Sequence, residues 1–164
     1  MGNNYTKLIG VQGVDGEYQN SQDINAEYAQ TRTLQFIIGR NGVAGCDFNF
    51  TAPVNNTQQN IDLGEIIPPQ CRIVSCTVTC TIAVVGVTDF NASMGSTSAG
   101  VDYIPATSCN ALNEVASSGV IPTTIDWSLP NHVFLGGKPT TDTWSVMSAG
   151  KWLVTIVYKD YSKI

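Results

Sequence analysis

From residue 71 to residue 85 the chain reads Cys-Arg-Ile-Val-Ser-Cys-Thr-Val-Thr-Cys-Thr-Ile-Ala-Val-Val, and two kinds of side chain alternate along it. In an extended chain Arg72, Val74, Cys76, Val78, Cys80, Ile82 and Val84 share one side. Ser75, Thr77, Thr79 and Thr81 share the other, with Ile73 and Ala83 as exceptions. A period of two is the mark of a half-buried strand. A helix is excluded because β-branched residues dominate and no run of helix formers occurs. Pro68 and Pro69 stop any upstream continuation of this strand.

The rest of the chain after residue 32 carries shorter signals of the same kind. Thr33–Ile38 is rich in β-branched and aromatic residues and predicts a strand. Cys46–Phe50 reads as an extended run, and Gln59–Leu63 as a brief strand before Gly64. Gly86–Pro105 reads as loop, with a Ser/Gly stretch over residues 93–100. Cys109–Val115 fits a short helix or a loop. Pro122–Trp127 and His132–Leu135 read as strands, the second stopping at Gly136-Gly137-Lys138-Pro139. Lys151–Lys159 predicts the last strand, with Trp152, Val154, Ile156 and Tyr158 on its apolar face. Short strands separated by turn signals, with no βαβ spacing, predict an all-β sandwich or barrel, and an antiparallel jelly-roll-like sandwich over residues 33–164 is the fold expected.

Residues 1–32 have a different texture. Gly2, Gly10, Gly13 and Gly16 interrupt them, and Tyr5, Leu8, Ile9, Val11, Val14, Tyr18 and Tyr28 follow no period. Such a segment builds no core of its own. Its apolar and aromatic residues distinguish it from a plain linker. It reads as an extended N-terminal arm, with Tyr5, Leu8, Ile9, Val11, Tyr18 and Tyr28 as candidate contacts to a partner.

Composition narrows the function classes. Only 13% of the residues are charged, against 43% hydrophobic, so Ser, Thr, Asn and Gln must dress the surface. The net charge is −5 and the eight Lys and Arg form no cluster, which argues against direct nucleic-acid binding. No run of about 18 apolar residues exists, so no membrane span is expected. The first 18 residues hold no apolar stretch of a secretory signal, and synthesis in a cytoplasm is expected. The five cysteines, Cys46, Cys71, Cys76, Cys80 and Cys109, include no Cys-x-x-Cys pair; they read as buried free thiols rather than zinc ligands.

Catalytic signals are weak. The lone histidine, His132, follows Pro130 and Asn131 and has no Gly-x-Ser-x-Gly elbow to serve. The acids are scattered singly, with no dense oxygen cluster for calcium and no phosphate-binding glycine loop. No cofactor is expected. Trp152 alternates with the apolar face of the last strand and reads as core, while Trp127 and Trp144 lie in or beside turns and are candidates for a sugar-stacking platform.

Two longer runs carry a resemblance. One is Ile61-Asp62-Leu63-Gly64-Glu65-Ile66-Ile67-Pro68-Pro69, leading into the long strand. The other is Thr143-Trp144-Ser145-Val146-Met147-Ser148-Ala149-Gly150-Lys151-Trp152, leading into the last strand. With Val85–Phe90 and Asp102–Leu112 between them, the arrangement resembles the auxiliary capsid (head decoration) proteins of crAss-like and related tailed bacteriophages. It covers about Thr33 to Tyr161 and leaves out the arm. The resemblance implies a non-enzymatic virion protein, made in the host bacterial cytoplasm, that binds the major capsid protein or other virion proteins, with a homo-oligomer possible. A place on the tail or a head fibre is the alternative within that class. A carbohydrate-binding module for host attachment, or a hydrolase built around His132, are the alternatives outside it.

Overall fold

Eight strands occupy the residues that the computed structural model describes, which are 30–39, 47–50 and 57–162. In chain order they are β1 (Gln30–Gly39), β2 (Gln59–Asp62), β3 (Cys71–Val85), β4 (Phe90–Gly95), β5 (Ile104–Ser108), β6 (Val115–Ser117), β7 (Phe134–Pro139) and β8 (Ala149–Asp160). A single 3-10 turn, Trp144–Val146, precedes β8.

The strands form two four-stranded sheets, ordered β1-β8-β3-β6 and β2-β7-β4-β5, with every pairing antiparallel. First pairs with last, second with seventh, third with sixth and fourth with fifth. The chain therefore behaves as one long antiparallel ribbon, doubled back at the β4–β5 end and wrapped so that alternate strand pairs fall in opposite layers. This is the double-sheet jelly roll, and the expected all-β sandwich is the observed fold.

The core lies between the layers. From the first sheet come Cys71, Ile73, Cys76, Val78, Cys80, Trp152, Val154 and Ile156; from the second come Ile61, Phe90, Ala92, Met94 and Leu135. An aromatic cluster joins the two. Phe90 stacks on Trp152 at 4.5 Å between centroids, and Phe48 lies 5.1 Å from Trp144. Both buried indoles are satisfied: Trp144 Nε1 donates to the Thr57 carbonyl at 2.7 Å and Trp152 Nε1 to that of Cys109 at 2.8 Å. The aromatic rings fill the middle of the sandwich while the polar tips reach backbone acceptors, as buried Trp requires.

Several expectations change in detail. Thr33–Ile38 is the centre of a longer strand that starts at Gln30, inside the segment read as arm. Within β3 the alternation holds over Cys76, Val78 and Cys80, all buried, but not at either end. A bulge between Ile73 and Ser75 in the pairing with β8 reverses the parity, so Cys71 and Ile73 face inward while Arg72 and Val74 face out. A second irregularity between Cys80 and Ile82 leaves Ile82 outside. One inserted residue moves all later side chains to the other face.

Gly86–Pro105 is not loop: it contains β4 and the start of β5. The burial of β4 is nearly continuous, so no alternation marks it. Cys109–Val115 forms no helix; Cys80 N–H donates to the Glu114 carbonyl and Asn113 N–H to that of Cys80, which ties this turn to β3. Pro122–Trp127 is a set of turns, not a strand. Residues 47–50 carry no strand. Finally, β7 runs through Gly136, Gly137 and Lys138 to Pro139 instead of stopping before them. A Cβ on Gly137 would run into the rings of Phe48 and Phe90, so the bare backbone is what lets those rings pack against this strand.

Candidate interaction surface

The six residues singled out as partner contacts, Tyr5, Leu8, Ile9, Val11, Tyr18 and Tyr28, lie outside the described residues, as does Cys46. The surface that the structure does describe is the outer face of the β1-β8-β3-β6 sheet.

Register assigns this face row by row. Ile38, Phe36 and Leu34 of β1 sit opposite Trp152, Val154 and Ile156, on the core side. Their neighbours therefore point out. Three successive outer rows are Thr33–Val157–Ser75, Gln35–Thr155–Thr77–Ser117 and Ile37–Leu153–Thr79–Val115. None holds a charged residue. Gln35 Nε2 donates to Thr155 Oγ1 at 3.3 Å, and Ile37 stands 65% exposed in the last of these rows. Cations appear only at the ends: Lys151, paired with Gly39 and Ile82, and Lys159, paired with Thr31 and Arg72. A broad face of Thr, Ser, Gln and aliphatic groups can be desolvated without stranding a charge.

The signal for this face was present in the sequence as the Thr-bearing side of Cys71–Val85. Ile37 and Val115 were missed as members of it. Each belongs to another strand, and alternation within one strand does not identify its neighbours.

The groups considered for chemistry are placed as follows. Both ring nitrogens of His132 face carboxylates: Nδ1 lies 3.1 Å from Asp62 Oδ1 and Nε2 3.2 Å from Glu65 Oε2. The ring also stacks on Phe134 with centroids 5.5 Å apart. With both nitrogens so engaged, neither is turned to a hydroxyl or thiol, which is the geometry a nucleophile–base pair needs. The backbone N–H of Gly64, followed by His132, holds the Asp62 carboxyl below its ordinary range. Asp62 also accepts from Gly64 N–H at 2.7 Å, so the cluster fastens the turn after β2 to the start of β7.

Cys71, Cys76, Cys80 and Cys109 are buried free thiols. Burial pushes Cys76 up to about 12 and Cys109 up to about 11, away from the reactive thiolate. Among the described residues no group of His, Cys, Asp and Glu could hold a metal ion, and no helix is long and apolar enough to cross a membrane.

The tryptophans differ from one another. Trp144 is fully buried in the aromatic cluster and offers no platform to a sugar. Trp152 is core, as its alternation indicated. Trp127 is half-buried and packs against the edge of the core. Compared with models of known protein families, with curated proteins and with solved structures, the chain matches none.

Proposed function

We propose that this chain is a non-enzymatic structural protein of a bacteriophage virion. In this reading it is an auxiliary capsid protein that binds and stabilises the major capsid lattice through its sandwich surface and its N-terminal arm. The observation that carries the reading is the strand order, β1-β8-β3-β6 over β2-β7-β4-β5. Double-sheet jelly rolls recur in viral capsid domains, and this warrant is an analogy at the level of fold.

The uncharged rows of the outer face add support, because the centres of protein interfaces are depleted of charge. The resemblance of the runs at residues 61–69 and 143–152 to decoration proteins points the same way. In this reading Tyr5, Leu8, Ile9, Val11, Tyr18 and Tyr28 contact a neighbouring subunit through main-chain pairing and apolar contacts.

A reconstruction of the assembled particle tests this. Density for the sandwich on the capsid exterior is the expected result. Density confined to the tail or a fibre would keep the structural class and overturn the capsid assignment. Absence from the particle would overturn both. Deleting residues 1–29 is expected to leave the sandwich folded and to reduce its incorporation into particles; undiminished incorporation would remove the arm from the reading.

A further inference from the structure

At the end of the β1-β8-β3-β6 sheet, where β3 begins and β8 finishes, Gln70, Cys71, Arg72, Trp127 and Tyr161 line a groove of about 470 Å³. That volume suits one ring-sized ligand. The backbone preforms the groove. Gln70 N–H donates to the Trp127 carbonyl at 2.7 Å, and Tyr161 N–H donates to the Gln70 carbonyl at 3.0 Å. Gln70 itself is held at φ +62°, a left-handed conformation that costs a non-glycine residue energy. Such positions persist where surrounding structure imposes them, and ligand clamps are among the places where they gather.

The charge arrangement at the rim is unusual. Arg72 sits directly across from Lys159 in the β3–β8 pairing, so the two cations share one face. Like charges directly opposite each other in a sheet repel. Neither has an ion pair among the described residues. Asp160, the next residue along, is on the other face, where it accepts from Arg32 at 3.4 Å, from Ser162 and from the thiol of Cys71. An anion bridging Arg72 and Lys159 would relieve the repulsion.

The walls add two further requirements. Trp127 and Tyr161 offer aromatic surface to a ring, and the indole Nε1 of Trp127 is buried with no acceptor among the described residues. The amide of Gln70 and the hydroxyl of Tyr161 can each donate and accept, which matches a ligand bearing hydroxyl groups.

We propose that this groove binds a carboxylate-bearing sugar ring, a unit of the hexuronate type. The carboxylate lies against Arg72 and Lys159, and the ring lies on Trp127 with its hydroxyls toward Gln70 and Tyr161. This assignment does not depend on the capsid reading.

Tryptophan fluorescence of the full chain tests it, because Trp144 and Trp152 are fully buried in the aromatic cluster and Trp127 alone lines the groove. Titration with D-glucuronate is expected to give a saturable change. D-glucose, which lacks the carboxylate, and acetate and inorganic phosphate, which lack the ring, are each expected to bind about tenfold more weakly or worse. Arg72→Gln, at an exposed position, is expected to weaken glucuronate by about tenfold with the circular dichroism unchanged. Equal responses to phosphate and glucuronate would mean a bare anion site and overturn the sugar assignment. No saturable response to glucuronate, or no effect of Arg72→Gln on it, would overturn the site.

Discussion

The two sheets of this sandwich are built by opposite means. The β1-β8-β3-β6 sheet is built on three long strands, β1, β8 and β3, whose side chains alternate, with Cys76, Val78, Cys80, Trp152, Val154 and Ile156 turned to the core and Thr, Ser and Gln turned out. The β2-β7-β4-β5 sheet is made of short strands, of which the inner two, β4 and β7, are buried nearly throughout, and its middle is shaped by side chains that are missing. Gly137 leaves room for Phe48 and Phe90, and Gly136 for Gln58 and Ser93. The first sheet is specified by what its residues bring to the core, the second by the space its residues leave.

The sharpest way to break the comparison is to attack the ring that both sheets share. Trp152→Ala removes the partner of Phe90 and is expected to cost roughly 3–5 kcal/mol, measured by urea denaturation. Both sheets should unfold in one transition; separate transitions would show that the layers are energetically independent.

Next in size, Gly137→Ala places a methyl group against Phe48 and Phe90 and is expected to cost about 1–3 kcal/mol by overpacking. Gly119→Ala is its control, since a Cβ there meets nothing within 4 Å, and its stability should stay within about 0.5 kcal/mol. If the two substitutions cost the same, the space at Gly137 is not what shapes the second sheet.

Tyr103→Phe is expected to raise stability by about 1 kcal/mol, because the buried Tyr103 hydroxyl has no partner among the described residues. A loss of stability would mean that the hydroxyl has found an acceptor. The smallest effect belongs to Val74, in the bulge of β3. Val74→Thr should change stability by no more than about 0.5 kcal/mol, since Val74 faces out. Ile73→Thr, one residue earlier, should cost a few kcal/mol in the same assay by burying a hydroxyl in the core.

This contrast also accounts for what could be read from sequence. The first sheet was legible because alternation is a local signal: β3 was placed from residue 71 to 85, and the core face of β8 was identified residue by residue. The parity of β3 failed at Arg72, Val74 and Ile82 because a bulge is visible only in the pairing with β8. In the second sheet β4 was invisible. Asn91, Ser93 and Gly95 look like loop residues, and what makes them strand is pairing with Lys138, Gly136 and Phe134, distant in sequence. The glycines of β7 read as a stop for the same reason, since the room they leave is used by Phe48 at Gly137 and by Gln58 at Gly136, both from elsewhere in the chain.

The candidate sites divide likewise. The Thr-rich face was implicit in the alternation of one strand. The groove at Arg72 joins residues from positions 70–72, 127 and 161, and the cation pair at its rim exists only through the register of β3 with β8. Sequence spacing carries no trace of that.

The doubled-back ribbon has a consequence for how the molecule comes into being. Because β1 pairs with β8, the earliest of the eight strands to be synthesised must wait for the latest. The β4–β5 hairpin is the shortest-range pairing and can form during translation, whereas the β1-β8-β3-β6 sheet cannot close while its second member is still on the ribosome. Until residues 149–160 emerge, the Thr33–Ile38 segment therefore lacks its partner and is exposed to aggregation or to chaperones. Closure of this sandwich is gated by the arrival of residues 149–160.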